Sequence, residues 1–243
     1  MKQNIRVVFF DLGNTLIYDD PSAWAGVYLR ADHSLRSSLH KFGVNLSSHE
    51  LFGKYKTLLH YYYNLHEGDL EEPGIGAVLK DLLSKHNIHL ADENLHSALR
   101  SMYAVTQVNW YMKDDAIATL RALREASYRL GIISNSSDDS NTYELMDKLK
   151  LRNYFDFILS SAAFSKRKPH PGIFRAGLEY FQIQPDQTVM IGGNYEVDIL
   201  GAHQLGMNTI WITRRLLSPS SDSTTREVAI VSRLSEIPAL LSP

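Results

Sequence analysis

An α/β fold, with a doubly wound parallel sheet interrupted early by one block of helices, is the fold class this sequence predicts. Three observations predict it. A continuous apolar run at residues 5–10 (IRVVFF) stops at Asp11-Leu12-Gly13-Asn14. No strand pattern follows between about residues 22 and 108. From residue 114 onward, amphipathic stretches alternate with short apolar runs. A strand buried on both faces reads as an unbroken apolar run. Strand–helix alternation predicts parallel strands joined by right-handed crossovers.

Each element has its own signal. The spacing predicts helices near 22–42, 47–66, 75–87 and 92–108. Ser47 and Glu50 stand three apart, as a capping box requires, and Pro73-Gly74 and Asn87 punctuate the others. Nearly ninety helical residues are too many for one crossover, so they are expected to form an inserted helical domain. Residues 114–129 form an amphipathic stretch, with Ile117, Leu120, Leu123 and Ala126 near helical spacing. Strands are then expected at 130–133, 155–159, 188–191, 209–212 and 228–231. Helices are expected at 141–150, 171–181, 197–205 and 235–241. Proline opens the 171–181 helix and Gly206 follows the 197–205 helix, where each is favoured. Residues 218–225, rich in Ser and Thr, read as a loop. Asp19-Asp20-Pro21 reads as the linker into the insertion, and Trp110-Tyr111 as packing where the chain returns.

The composition excludes several classes. Lys plus Arg is 25 and Asp plus Glu is 27, a net charge of −2, so no electrostatic footprint for nucleic acid or an anionic membrane appears. There is no cysteine, which excludes disulfides, a thiolate nucleophile and Cys-based metal sites. No apolar run approaches the roughly 18 residues of a membrane span. The N-terminus has no room for a signal peptide before Asp11. A cytoplasmic protein is expected.

In doubly wound sheets, ligands bind beyond the carboxyl ends of the strands. The residues there are Asp11, Gly13, Asn14 and Thr15, then Ser134 and Asn135, then Gly192, Gly193 and Asn194 with Asp198 after them. Lys168 precedes the helix at 171. A carboxylate at a strand end can act as a nucleophile. Hydroxyl, amide and ammonium groups can hold an anion, and the lysine favours the ionised carboxylate.

Residues 9–16 (FFDLGNTL) resemble the first motif of the haloacid dehalogenase superfamily of hydrolases. Residues 132–135 (IISN) resemble its second motif, 168–174 (KPHPGIF) its third and 190–202 (MIGGNYEVDILGA) its fourth. The order is the family's, and the likeness spans essentially the whole chain. The resemblance implies a Rossmann-like core of residues 1–18 and 111–243, with a helical cap of residues 19–110. It implies Asp11 as nucleophile with Lys168 beside it. Gly13, Asn14, Thr15, Ser134, Asn135 and Lys168 would bind the phosphate or other anion. Asp11, the Gly13 backbone carbonyl, Asp198 and, weakly, Asn194 would be the metal ligands.

Two departures bear on function. Where the family's phosphatases carry an acid/base aspartate two residues after the nucleophile, this chain has Gly13. Where they carry a metal-binding aspartate after the first glycine of the fourth motif, it has Gly193. Mg²⁺ favours carboxylate ligands, so support for Mg²⁺ is weak. Loss of a general acid/base removes about 10²–10⁴-fold in rate.

Three readings follow. The first is a hydrolase of low activity on a small phosphorylated metabolite. The second is a catalytically weak or inactive binding protein on this scaffold. The third is a metal-independent 2-haloacid dehalogenase-like enzyme, with Arg30 of the cap on the halide. That branch also lacks both aspartates, but it carries an aromatic residue at the position of Gly13 and a serine pair at Gly192-Gly193. Cap lysines Lys41, Lys54, Lys56, Lys80 and Lys85 are candidates to replace the missing acid. Tyr61, Tyr62 and Tyr63 are expected to divide between the cap interior and the cleft. The histidines, among them His86 and His89, and the pair Lys166 and Arg167 are expected to be solvated. The expected partner is a small anionic molecule, with a homodimer as a further arrangement, and neither nucleic acid nor membrane.

Overall fold

The computed structural model describes residues 4–213 and 228–242; for Phe52, Tyr55 and Lys56 only the backbone is described. In chain order, β1 (Val7–Phe10) leads through a tight loop to β2 (Ile17–Asp19). The helical block holds α1 (Trp24–His40), a π-helical turn (His49–Gly53), α2 (Lys54–Leu65), α3 (Ile75–Ser84) and α4 (Asp92–Thr106). Then come β3 (Trp110–Met112), α5 (Ala116–Glu125), β4 (Arg129–Ser134), α6 (Asp139–Lys148), β5 (Phe157–Ser160), α7 (Ser161–Phe164) and α8 (Pro171–Phe181). The last elements are β6 (Thr188–Gly192), a π-helical turn (Tyr195–Leu200) running into α9 (Gly201–His203), β7 (Asn208–Ile212), β8 (Ala229–Val231) and α10 (Ile237–Leu241). The loop expected at 218–225 lies outside the described residues.

Six parallel strands form one sheet in the order β5-β4-β1-β6-β7-β8. Alternate β1 residues face opposite sides, as pleating demands. Val8 and Phe10 join one buried cluster with Leu130, Ile132 and Ile191, while Val7 and Phe9 join another with Ile133, Phe174 and Met190. Burial of both faces explains the unbroken run IRVVFF. The helical block has its own cluster, built on Leu35, Leu39, Leu79, Leu83 and Leu99. Its expected capping box is present: Glu50 Oε2 accepts from Ser47 N at 2.9 Å, and Ser47 Oγ accepts from Glu50 N at 3.2 Å.

The register defines the working edge. Phe10 pairs with Ile132 of β4 and Ile191 of β6. Asp11 therefore emerges level with Ile133 and Gly192, at the point where strand order reverses around β1.

Two expectations need correction. Asp19-Asp20-Pro21 and Trp110-Tyr111 are not mere linker and packing. Ile17–Asp19 and Trp110–Met112 pair antiparallel, Ile17 with Met112 and Asp19 with Trp110. Three-residue strands are too short for a period to show, and a cross-strand Tyr18–Tyr111 contact (centroids 5.6 Å apart) helps hold them. The helix expected at 197–205 starts earlier and opens as a wide turn. Asn194 Oδ1 accepts from the Glu196 and Val197 amides, which fixes the start.

Candidate active site

The site is built on a buried ammonium between two carboxylates. Lys168 Nζ donates to Asp11 Oδ1 at 2.7 Å, to Asp198 Oδ1 at 2.8 Å and to the Ile133 carbonyl at 2.7 Å. Lys168 and Asp198 are each 2 % exposed and Asp11 8 %. Thr15 Oγ1 donates to Asp11 Oδ2 at 3.1 Å, and the Asn194 amide donates to Asp198 Oδ2 at 3.0 Å. All four carboxylate oxygens thus have a donor, and a buried charge needs such partners. Burial pushes the Asp11 carboxyl up to about 6; Lys168 pulls against that rise and Asp198 adds to it. Burial also disfavours the Lys168 charge, but Asp11 and Asp198 outweigh it and raise its pKa.

The other expected residues divide. Thr15 joins the first and fourth motifs, accepting from the Gly193 amide at 2.9 Å. Asn14 has a left-handed backbone, φ 59°, and its carbonyl accepts from Lys113 Nζ at 3.2 Å. Ser134 ends β4 beside Ile133 and is buried. Asn135 clamps the lysine loop. Its Oδ1 accepts from the Lys168 amide at 2.7 Å and its Nδ2 donates to the Lys168 carbonyl at 3.0 Å. The three Lys168 donors and one Asn135 Nδ2 hydrogen are therefore bonded within the protein. In this arrangement Asn135 positions the loop and Lys168 supplies charge beside Asp11.

The two unusual glycines are not equivalent. A Cβ on Gly193 would stand 2.8 Å from the Asn14 carbonyl oxygen, which is backbone and cannot swing away. A Cβ on Gly13 would meet only Trp110 carbons, at 3.8 and 3.9 Å, an ordinary contact. Gly193 lets two motif loops touch, whereas Gly13 leaves space capped by an indole.

Asp11, Asp198, the Gly13 carbonyl and Asn194 would be the residues to hold a Mg²⁺ ion, and they make a thin donor set. Asp11 and Asp198 already share an ammonium, Asn194 Oδ1 is a helix cap, and the place of a third carboxylate is closed by the Asn14 carbonyl. The ion is octahedral and needs several oxygen ligands.

The cap contributes differently from expectation. Arg30 is exposed and lies back over Gly26 of its own helix, 3.5 Å from where a Cβ would stand. Lys80 and Lys85 pair with Asp92 (2.7 Å) and Asp81 (2.9 Å), and Lys41 and Lys54 are exposed. The Lys56 side chain lies outside what is described. Tyr61 is exposed, and Tyr62 packs on the cap cluster with its hydroxyl on Asp81. Tyr63 leaves the cap interior: its hydroxyl donates to buried Glu72 at 2.6 Å, and Ser161 of the core donates to the same carboxylate at 2.8 Å.

Lys166 and Arg167 are half-buried and paired rather than simply solvated. Arg167 donates to the Glu71, His66 and Tyr63 carbonyls at 2.7, 3.1 and 3.4 Å and lies over the Tyr63 ring. Backbone bonds Arg167 N to Leu70 O and Glu72 N to Ser165 O complete a strand-like seam (2.8 and 3.1 Å) next to Lys168. His66, Asp69 and Glu71 come together, but Lys166 Nζ lies 3.7 Å from each of the two carboxylates and supplies the cation. Sequence reading missed Trp110, Glu72 and Arg167 as site neighbours. Only the adjacency of Arg167 to Lys168 signalled any of them.

Comparison with known proteins fits this geometry. The family described as haloacid dehalogenase-like hydrolase matches residues 52–212. An N-acylneuraminate-9-phosphatase of Mus musculus is 31% identical over 98% of this chain and 94% of its own. A glyceraldehyde 3-phosphate phosphatase of Pyrococcus furiosus is 26% identical over 86% of this chain and 81% of its own. Among solved structures, a 2-haloacid dehalogenase from Pseudomonas syringae pv. Tomato DC3000 superposes with a TM-score of 0.69 at 24% identity, covering 98% of each chain, a likeness of fold. The chain belongs to the haloacid dehalogenase-like hydrolase family.

Proposed function

We propose that the protein hydrolyses a small phosphorylated molecule, with Asp11 as the attacking group. The observation that carries this reading is the Asp11–Lys168–Asp198 arrangement at the carboxyl edge of β1. Lys168 holds Asp11 ionised near neutral pH and fixes its direction, which a nucleophile requires. Thr15 fixes the other oxygen. Ser134 and the backbone amides of the loop after β1 would receive the phosphate oxygens. The phosphatase names of the relatives support the substrate class.

No step needs a bound metal in this reading. The ammonium supplies one fixed positive charge, and activity is expected to be low because two family carboxylates are absent. The test is phosphate release from 4-nitrophenyl phosphate by the wild type and by Asp11→Asn, with and without chelator. Release by the wild type that is lost in Asp11→Asn supports the reading. Equal release by both contradicts it.

A second reading is favoured by one observation. A carboxylate held by lysine, with few donors left for a metal, also suits attack on carbon bearing a halogen. Asp11-dependent chloride release from a 2-chloro acid, without phosphate release from any ester, would select it.

A further inference from the structure

The position two residues beyond the nucleophile has no proton to give, and among the described residues no polar side-chain atom lies within 4 Å of where its Cβ would stand. Gly13 has no side chain, and what faces its missing one is carbon of the Trp110 indole. The groups that could serve instead are engaged. Thr15 Oγ1 donates to Asp11 while accepting from Gly193. The three Lys168 donors are bonded inside the protein, and that lysine holds its proton tightly between two carboxylates. Asp19, level with Trp110 on the hairpin, accepts the Trp24 indole N–H.

That corner is aromatic, and its carboxylate, Asp19, is held on the Trp24 indole. Trp24 lies edge-on to Trp110, 6.1 Å between centroids, and stacks on Tyr28 at 5.0 Å. A general acid matters most when the leaving group is a strong base, and least when it leaves as a stable anion.

We infer that the site is built for phosphates carried on an acidic oxygen, acyl phosphates above all, and not for alkyl phosphate esters. The inference rests on the phosphatase reading and narrows it. In the first step an Asp11 oxygen bonds to phosphorus. The bond from phosphorus to the leaving oxygen breaks, and its electron pair stays on a carboxylate that needs no proton. In the second step water bonds to phosphorus, the Asp11–phosphorus bond breaks, and its pair returns to the Asp11 carboxylate. Both protons of the water leave on the phosphate product. The Trp110 ring, with Trp24 edge-on behind it, offers an apolar surface to the acyl body.

The test compares kcat/KM for acetyl phosphate, 4-nitrophenyl phosphate and ethyl phosphate, in the wild type, Gly13→Asp and Gly13→Ala. A Cβ at Gly13 makes only ordinary contacts with Trp110, so Gly13→Ala is sterically admissible and Gly13→Asp needs only its carboxyl to clear that ring. In the wild type, acetyl phosphate is expected to exceed ethyl phosphate by more than about 10²-fold, the least a general acid contributes. Gly13→Asp is expected to narrow that gap and Gly13→Ala to leave it. Ethyl phosphate within about tenfold of acetyl phosphate in the wild type would overturn the inference while leaving the phosphatase reading intact. The wild-type series decides even if a variant fails to fold. No release from any of the three would remove the phosphatase reading, and this inference with it.

Discussion

The loop after β1 and the loop after β6 each carry a glycine, Gly13 and Gly193, where the motif resemblance leads one to expect an aspartate, yet the two regions are built differently. Around Gly193 the chain is closed: its amide holds Thr15, and the Asn14 carbonyl stands where a Cβ would go. Around Gly13 it is open, with only the Trp110 ring at contact distance. The same replacement therefore has two physical meanings. One glycine lets two loops touch and fixes Thr15 on Asp11. The other removes a proton donor and admits an aromatic wall. A Cβ fits at Gly13 without moving backbone, whereas at Gly193 it would press on the Asn14 carbonyl.

The largest expected effect tests what both loops surround. Lys168→Met leaves Asp11 and Asp198 buried without their cation. Breaking one partner of a buried charge set costs about 3–5 kcal/mol, so thermal unfolding should show a large fall in midpoint. An unchanged midpoint would mean that the triad does not form. Next comes the glycine contrast itself. Gly193→Ala should destabilise by about 1–3 kcal/mol, as overpacking against fixed atoms does. Gly13→Ala should stay within about 0.5 kcal/mol. Equal losses in urea unfolding would erase the distinction.

The third effect is on pH. Asp11 acts ionised, and burial lifts its carboxyl from 3.8 to about 6. Rate should therefore hold above pH 6 and fall about tenfold per unit below it. An acid limb near pH 4 would show that Asp11 is not buried as described.

A smaller effect concerns the seam between cap and core. Arg167→Met removes three bonds to cap carbonyls beside Lys168. It is expected to raise KM more than it lowers kcat and to speed proteolysis within the cap, with stability changed by about 1 kcal/mol. The smallest is metal removal: chelation should alter turnover by less than about twofold, because the carboxylates already hold an ammonium. A tenfold loss would show that the donor set accepts an ion after all.

The sheet was legible because its central strands β1, β4 and β6 are buried on both faces and read as apolar runs, and Pro171 and Gly206 punctuate the helices. Asp11, Thr15, Lys168 and Asp198 were legible because they follow strand ends in family order. The β2–β3 hairpin was not, since three residues carry no period. Nor was the seam from Leu70 to Arg167, in which every acceptor of the Arg167 bonds is a backbone carbonyl and leaves no mark on side-chain type. The inequality of Gly13 and Gly193 is likewise invisible in letters, because it depends on which atoms lie in the path of an absent Cβ.

The most direct test of the account is intact mass after rapid quench of the wild type with acetyl phosphate, with the modified peptide then located. The account predicts a phosphoryl adduct on Asp11 during turnover, absent from Asp11→Asn. Turnover without an adduct, or an adduct on another residue, would contradict it.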